Sequence, residues 1–121
     1  MIPASLQTLL GLCQRAGKAI SGEFAVEQAL RRRKADLLIL AEDASENTQE
    51  RFINLAQRSG VPCYRFGTRD ELGAVIGKGH RATIAVQSRD FAKGIVSALT
   101  KEGLAPLTGR GCSCGTESPR I

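Results

Sequence analysis

Apolar residues recur at helical spacing in five segments of this chain. In the first segment they occupy positions i, i+3, i+4 and i+7, at Leu6, Leu9, Leu10 and Cys13, which places them on one face of a helix. Similar patterns predict helices over residues 23–33, from residue 43 or 45 to residue 59, over residues 68–76, and from residue 88 or 90 to residue 99. Thr68 and Glu71 form a capping-box pattern at the start of the fourth helix.

Shorter apolar segments lie between these helices. Residues 37–41 form a continuous apolar run, which is typical of a strand covered on both faces. Residues 82–86 are mostly apolar and predict another strand. Residues 63–66 predict a third strand and residues 19–21 a short extended piece. Strands that alternate with helices indicate a sheet with helices on both faces. We therefore expect an α/β fold, a single-domain three-layer α/β/α sandwich with a four-stranded mixed sheet.

The periodic pattern ends near residue 100. From Lys101 onward the sequence is rich in Gly, Pro, Ser and Thr, a composition that does not build a packed core. At 121 residues the chain is long enough for one domain and too short for two. We expect a folded domain over residues 1–100 and a flexible tail over residues 101–121. Cys13 and Cys63 lie within apolar segments and are expected to be small buried hydrophobes.

The formal charge of +5 favours a polyanionic partner and belongs mostly to the first 100 residues. No apolar run approaches the roughly 18 residues that are needed to span a bilayer. The amino-terminal residues also lack the pattern of a secretory signal. We expect a cytoplasmic protein with no membrane partner.

Two glycine-containing segments have the composition of a binding site. Residues 17–23 place Gly22 and short polar residues at the predicted start of the second helix. Free backbone N–H groups and the helix dipole favour an anion at such a position. Residues 72–79 place glycines around Lys78 in a loop between a helix and a strand, so backbone could approach a ligand closely.

These segments, in this order and spacing, resemble the bacterial YlxQ proteins, which are small members of the ribosomal protein L7Ae superfamily. The resemblance rests on LGL at residues 10–12, RAGK at 15–18, SGE at 21–23, AEDASENT at 41–48, LG at 72–73, IGK at 76–78 and FA at 91–92. It covers residues 5–99. It implies the fold described above and a structured RNA partner, such as kink-turn or ribosomal RNA. Ribosomal, transcription or translation proteins are further implied partners.

The resemblance places the RNA site on the first turn of the second helix and on the loop before the last strand. The residues expected to contact RNA are Lys18, Ser21, Gly22, Glu23, Phe24, Gln28, Arg32, Ile76, Gly77, Lys78 and Gly79. Kink-turn-binding members of the superfamily have Gly-x-Asn-Glu at the first of these places, whereas this chain continues from Gly22 with Glu23, Phe24 and Ala25. Two base-reading side chains are therefore missing, although phosphate contacts require neither of them.

Individual roles follow from side-chain chemistry. Lys18, Ser21 and Lys78 are expected on phosphates, and Ile76 on an unstacked base. Phe24 either stacks on a base or packs beneath the neighbouring helix. A purely structural interpretation of the first segment is also open, namely a strand-to-helix turn that Ser21 caps.

Other polar clusters have ordinary structural interpretations. The basic run from Arg31 to Lys34 is expected at a solvated helix end, where Arg32 or Arg33 can extend the electropositive surface. His80 is expected to be a solvated loop residue. Residues 73–79 have three residues between glycines where a nucleotide-binding P-loop has four, and they lack its Ser or Thr.

Acidic residues and cysteines do not predict a metal site. Glu42 and Asp43 are expected to cap the helix that follows them and to balance nearby arginines. Cys112 and Cys114 supply two thiolates, whereas structural zinc takes four ligands. We expect no metal and no cofactor.

The resulting hypothesis is a monomeric, non-catalytic protein that binds a kinked or structured RNA. The alternative is a protein-interaction adaptor that kept the fold and lost RNA recognition, and the apolar pair Phe24 and Ala25 favours it. A small-molecule enzyme is supported only by the general α/β/α layout, and a fold does not imply a function.

Overall fold

A computed structural model of the chain describes Ile2, residues 4–104, Pro106 and Leu107. These residues form five helices and four strands in the order α1 (Ala4–Arg15), β1 (Ala19–Ser21), α2 (Glu23–Arg31), β2 (Leu37–Leu40), α3 (Glu46–Ser59), β3 (Cys63–Arg65), α4 (Arg69–Val75), β4 (Thr83–Val86) and α5 (Arg89–Lys101). The predicted α/β class and order of elements are confirmed. Helix α2 ends two residues before the predicted position, because Arg33 adopts a left-handed conformation with φ of 56°.

Three helices begin at hydroxyl side chains that accept from their first turn. Ser45 accepts from Thr48 N at the start of α3, and Ser88 accepts from Phe91 N at the start of α5. Ser45 and Ser88 are therefore the caps, rather than the aspartates that the sequence left as alternatives. Thr68 forms the predicted capping box with Glu71 at the start of α4. Such caps typically stabilise a helix by about 1 kcal/mol.

The strand order across the sheet is β1-β4-β2-β3. Strand β4 pairs antiparallel with both β1 and β2, while β2 and β3 are parallel. Strands β1, β2 and β3 therefore run in one direction. We call the edge where these three strands end, and where β4 begins, the carboxyl edge. The opposite edge, where β1, β2 and β3 begin and β4 ends, is the amino edge.

Helices cover both faces of this sheet, as the predicted three-layer sandwich requires. On one face Ile39 and Ile84 belong to a buried cluster with residues of α1, α4 and α5. On the other face Leu38 packs with Val26 of α2 and Phe52 of α3. Burying one such aliphatic or aromatic side chain contributes about 1.5–3 kcal/mol. The two clusters thus hold the helices against the sheet.

The two described cysteines are buried, as predicted. Cys13 belongs to the first cluster and Cys63 to the second. Burial raises the pKa of the Cys13 thiol to about 11 and that of the Cys63 thiol to about 12, because a thiolate would be poorly solvated there. Both therefore stay neutral at ordinary pH and act as apolar side chains.

The packed structure continues beyond the predicted boundary at residue 100. Leu104 packs against the first cluster, and Leu107 N donates to Cys63 O on strand β3 at 2.7 Å. The remaining expectation for the tail concerns residues 108–121, and these residues, Cys112 and Cys114 among them, lie outside the described part of the chain. Of the helices described, none has the length and apolar character that crossing a membrane would require.

Candidate nucleic-acid interface

The start of α2 and the loop before β4 meet at the carboxyl edge of the sheet. Gly22 N donates to Thr83 O at 3.3 Å, and Arg81 Nε donates to Ser21 Oγ at 3.1 Å. These bonds join residues about 60 positions apart along the chain. We call the surface formed by residues 21–24 and 77–81 the loop face. Both segments that the sequence singled out contribute to it.

The amino end of α2 has no side-chain cap. Gly22 is its N-cap residue, with φ of 95°, and no side chain accepts a hydrogen bond at that end. Ser21 is not the cap, because its hydroxyl instead receives the Arg81 guanidinium. Unpaired N–H groups in a first helical turn carry partial positive charge and attract anions. The start of α2 can therefore bind an anion, unlike the capped starts of α3, α4 and α5.

The loop after α4 is pressed tightly onto that helix. Lys78 N donates to Gly73 O at 2.7 Å, and a Cβ on Gly73 would lie 1.8 Å from Gly79 O. Only glycine leaves room for the loop backbone at position 73. His80 is exposed as predicted, and its Nδ1 also lies 2.7 Å from an Asp70 carboxylate oxygen. The loop thus presents exposed Lys78 from a backbone that several contacts fix.

Arg81 is a loop-face residue that the sequence interpretation did not include. Besides Ser21 Oγ, its guanidinium donates through Nη1 to His80 O at 2.8 Å. Arginine has five N–H donors, so these two bonds leave donors for an anion. Its position three residues after Lys78 in the same loop was the available signal. The contact with Ser21 depends on how β1 and β4 pair, which no local pattern shows.

Phe24 is 78% exposed. The prediction that it packs beneath the neighbouring helix is therefore wrong, and its ring is available to a partner. Half-buried Gln28 and exposed Arg32 follow at intervals of four residues, so the three positions form one stripe along α2. Phe24 occupies the end of this stripe at the loop face.

The negative charge of Glu23 is paired with a cation from the next helix. Arg51 Nη2 lies 3.1 Å from a Glu23 carboxylate oxygen and 3.6 Å from one of Glu27. Arg31 forms a further pair with Glu27 at 2.9 Å. These half-exposed pairs contribute little to stability. They do offset the charge of a carboxylate that would otherwise repel phosphate at the start of α2.

Two of the residues expected at the site lie elsewhere. Ile76 is 4% exposed and belongs to the core cluster beneath α4, so the expectation that it touches an unstacked base is wrong for this structure. Lys18 is exposed, but its carbonyl oxygen accepts from Gln87 N at the amino edge. It precedes Ser21 by three residues, roughly 10 Å along an extended strand. Lys18 and Ser21 therefore lie at opposite ends of β1.

Glu42 and Asp43 bind backbone of the segment before α4. Glu42 Oε2 accepts from Gly67 N at 3.0 Å, and Asp43 Oδ1 accepts from Arg69 N at 2.9 Å. The expectation that they cap α3 is wrong, since Ser45 does so, while the expected balancing of an arginine is present as the Asp43–Arg69 pair. Across the described residues, no group of three or more His, Cys, Asp or Glu is placed to hold a metal ion.

A mixed sheet between two helical layers, with a glycine-started helix beside a tight glycine loop, defines a class of small α/β/α domains. A solved structure, described as that of a protein with unknown function from Bacillus halodurans C, is similar at a TM-score of 0.78 and 30% identity. The similarity covers 81% of this chain and 99% of that one. The profile of the Ribosomal protein L7Ae/L30e/S12e/Gadd45 family matches residues 4–96.

Two proteins that carry the name RNA-binding protein YlxQ are also similar to the chain. The one from Bacillus subtilis (strain 168) is 40% identical over 75% of this chain and 91% of its own length. The one from Enterococcus faecium is 36% identical over 70% of this chain and 82% of its own. The chain belongs to the Ribosomal protein L7Ae/L30e/S12e/Gadd45 family. The predicted resemblance to its YlxQ-type members is confirmed.

Proposed function

We propose that this protein is a non-catalytic RNA-binding protein whose loop face binds a structured RNA at a bend. The observation that carries the proposal is the uncapped start of α2, which the Arg81–Ser21 hydrogen bond holds against a basic glycine loop. The two YlxQ relatives are named as RNA-binding proteins, which supports the same function here. No catalytic group enters this proposal.

Each part of the loop face would take a different part of the RNA. The first backbone N–H groups of α2 would donate hydrogen bonds to a phosphate oxygen. Lys78 and Arg81 would neutralise phosphates that approach one another where the backbone bends. The exposed ring of Phe24 would stack on an unpaired base. Binding would then favour the bent conformer of an RNA that samples both bent and straight forms.

The mode of RNA recognition depends on residues 24 and 25, which have no hydrogen-bonding groups in their side chains. Phe24 and Ala25 offer no side-chain hydrogen bonds to base edges, so a kink-turn would be recognised by its bent backbone and an unstacked base. Discrimination between base pairs would be weak, because each lost bidentate contact removes about 1–3 kcal/mol of it. We propose ribosomal RNA or another RNA linked to translation as the natural ligand.

The direct test is fluorescence anisotropy and FRET with a labelled kink-turn RNA and a copy whose G·A pairs are disrupted. We expect both RNAs to bind at low salt, with at most a modest preference for the intact one. Replacing Lys78 or Arg81 with alanine should reduce the slope of log affinity against log salt by about 1. Arg65→Ala is the matched control, since Arg65 is exposed away from the loop face and donates to Gln49. Salt-insensitive binding would contradict phosphate recognition.

A protein-interaction adaptor is the second candidate, and the exposure of Phe24 favours it. An exposed aromatic side chain can serve as the anchor of a protein contact. The double change Lys78→Glu and Arg81→Glu distinguishes the two functions. It should abolish RNA binding but leave the binding of Phe24 to an apolar site on a protein partner largely intact. Absence of binding to either RNA by the unmodified protein would favour the adaptor.

A further inference from the structure

A cavity of about 750 Å³ opens at the amino edge, opposite the loop face. The turn after α2, the end of α3 and the first two turns of α5 surround it. Apolar side chains such as Val61 and Val96 line its inner part, and Arg33, Arg89 and Lys93 line it with positive charge. Asp36 is the carboxylate among the lining residues. None of the contacts that build the loop face involves this cavity.

The cations at this cavity have no acidic partners within the described part of the chain. Arg33, Arg89 and Lys93 take part in no ion pair there, and Arg32 and Lys34 beside them are likewise exposed and unpaired. On the opposite side of the molecule, Arg51 and Arg69 each pair with a carboxylate, whereas Arg81 on the loop face donates to Ser21 Oγ and His80 O. Unpaired cations on two elements, the turn after α2 and the first turns of α5, create a field that favours a polyanion.

Arg33 occupies a backbone position that glycine takes elsewhere in this protein. Four of the five described helices are followed by a glycine with left-handed φ: Gly17, Gly60, Gly77 and Gly103. Helix α2 is instead followed by Arg33, with φ of 56°. Hydrogen bonds from Arg33 N to Leu30 O and from Lys34 N to Ala29 O close the helix end. An L-residue is strained in this conformation, so Arg33 stands where glycine would be more stable.

The stripe along α2 connects the loop face to this cavity. Phe24 lies at one end of the helix, and Arg32 and Arg33 lie at the other. The nine residues of α2 span about 14 Å, which is shorter than the length of an RNA helical arm. An RNA held at the loop face that extends along α2 would reach the cations at the amino edge.

We propose that the amino-edge cavity binds the phosphate backbone of a second segment of the same RNA, one helical arm beyond the bend. The proposal rests on RNA binding at the loop face and adds a second contact surface to it. Arg33, Arg89 and Lys93 would each face phosphate, while the bend stays on the loop face. An acidic protein segment is the competing occupant, and the experiment below separates the two.

The test uses kink-turn RNAs with one arm either short or extended to about 16 base pairs, the span that a double-stranded-RNA-binding domain contacts. We expect the extended arm to bind the unmodified protein more tightly and with a steeper salt dependence. The double variant Arg89→Ala, Lys93→Ala should lose that gain and lower the salt slope by about 2. The control Arg65→Ala, Lys101→Ala removes the same charge from exposed positions away from the cavity and should keep the gain.

The outcomes separate this inference from the proposed function. If the cavity variant keeps the gain while short-arm binding is normal, the second surface is not an RNA site and an acidic protein is its better occupant. If the control loses as much as the cavity variant, the effect is one of net charge and the inference fails. If neither RNA binds the unmodified protein, the proposed function and the inference fail together.

Arg33→Gly gives an independent test because its effects should have opposite signs. Relief of the left-handed strain should raise the melting temperature, whereas loss of the guanidinium should weaken binding of the extended-arm RNA and reduce the slope of log affinity against log salt by about 1. A higher melting temperature with unchanged affinity would show that Arg33 does not contact RNA and would overturn its role.

Discussion

At the scale of single residues, the sequence identified the residue types at the site but not which of them are exposed to a partner. The sequence allowed Phe24 either to stack on a base or to pack beneath a helix, and its 78% exposure shows that it lies on the surface. Ile76 sits in a loop-like pattern yet is buried, because the tight turn after α4 folds it back on the core. Arg81 was missed because its partner Ser21 lies 60 residues away. Local patterns identify residue types, whereas the contacts depend on tertiary packing.

The Glu23–Arg51 pair leads to a prediction about RNA affinity. Arg51→Ala should weaken RNA binding by up to about fivefold, since the freed Glu23 charge repels phosphate at the scale of an exposed ion pair, about 0.2–1 kcal/mol. Adding Glu23→Gln to Arg51→Ala should restore most of the affinity. Anisotropy titrations of both single variants and the double variant measure this coupling. Equal losses in Arg51→Ala and the double variant would mean that Arg51 acts on RNA directly.

At the scale of secondary-structure elements, the sequence was a good guide. Helical spacing and the apolar runs identified all nine elements in order, since each pattern is local and each element buries one stripe or face. The capping box at Thr68 was correct because all of its atoms lie within four residues. Helix α2 ended early because Arg33 supplied an unexpected left-handed stop. The sequence also did not predict the close approach of the loop to α4. A glycine indicates that the backbone has room at that position, but not which other segment lies against it.

That close approach makes Gly73 a sensitive position. Gly73→Ala should lower the free energy of unfolding by about 1–3 kcal/mol, the usual cost of overpacking, because its Cβ would overlap Gly79 O. It should also displace Lys78 and weaken RNA binding. Urea denaturation and anisotropy measure the two effects.

Gly94 provides the matched control for that substitution. It also lies in a helix, and a Cβ there would make ordinary contact with the Leu9 side chain at 3.7 Å. Gly94→Ala should leave stability unchanged or raise it by about 0.5–1 kcal/mol. Similar stabilities for the two variants would contradict the close approach at Gly73.

At the scale of the whole molecule, the sequence predicted the layers and not the distribution of charge. The net charge of +5 does not say where the cations lie, whereas the fold brings cations together at two places, the loop face and the amino-edge cavity. Lys18 was misplaced for the same reason, since only the pairing of β1 with β4 shows at which edge it lies. The folded part was also underestimated, because Leu104 and Leu107 contact the core from outside any periodic pattern.

The contacts of Leu104 and Leu107 predict where the chain can be shortened. Removing residues 104–121 should lower the free energy of unfolding by about 1–3 kcal/mol, through loss of a partly buried leucine and of the hydrogen bond to Cys63 O. Removing only residues 108–121 should leave it unchanged, in keeping with the expected flexible tail. Thermal and urea unfolding of the two truncated chains test this boundary. Equal stabilities of the two chains would place the boundary back at residue 103.

The position of β4 between β1 and β2 bears on how the protein is made. Because β4 ends only at Val86, a chain emerging from the ribosome carries β1 without a sheet partner for most of its synthesis. The Gly22–Thr83 and Ser21–Arg81 contacts also wait for that strand. Such long-range pairing is slow compared with helix formation. If the loop face is the RNA site, as proposed, a nascent or prematurely terminated chain lacks half of that site, and RNA binding would begin only after nearly the whole domain has been translated.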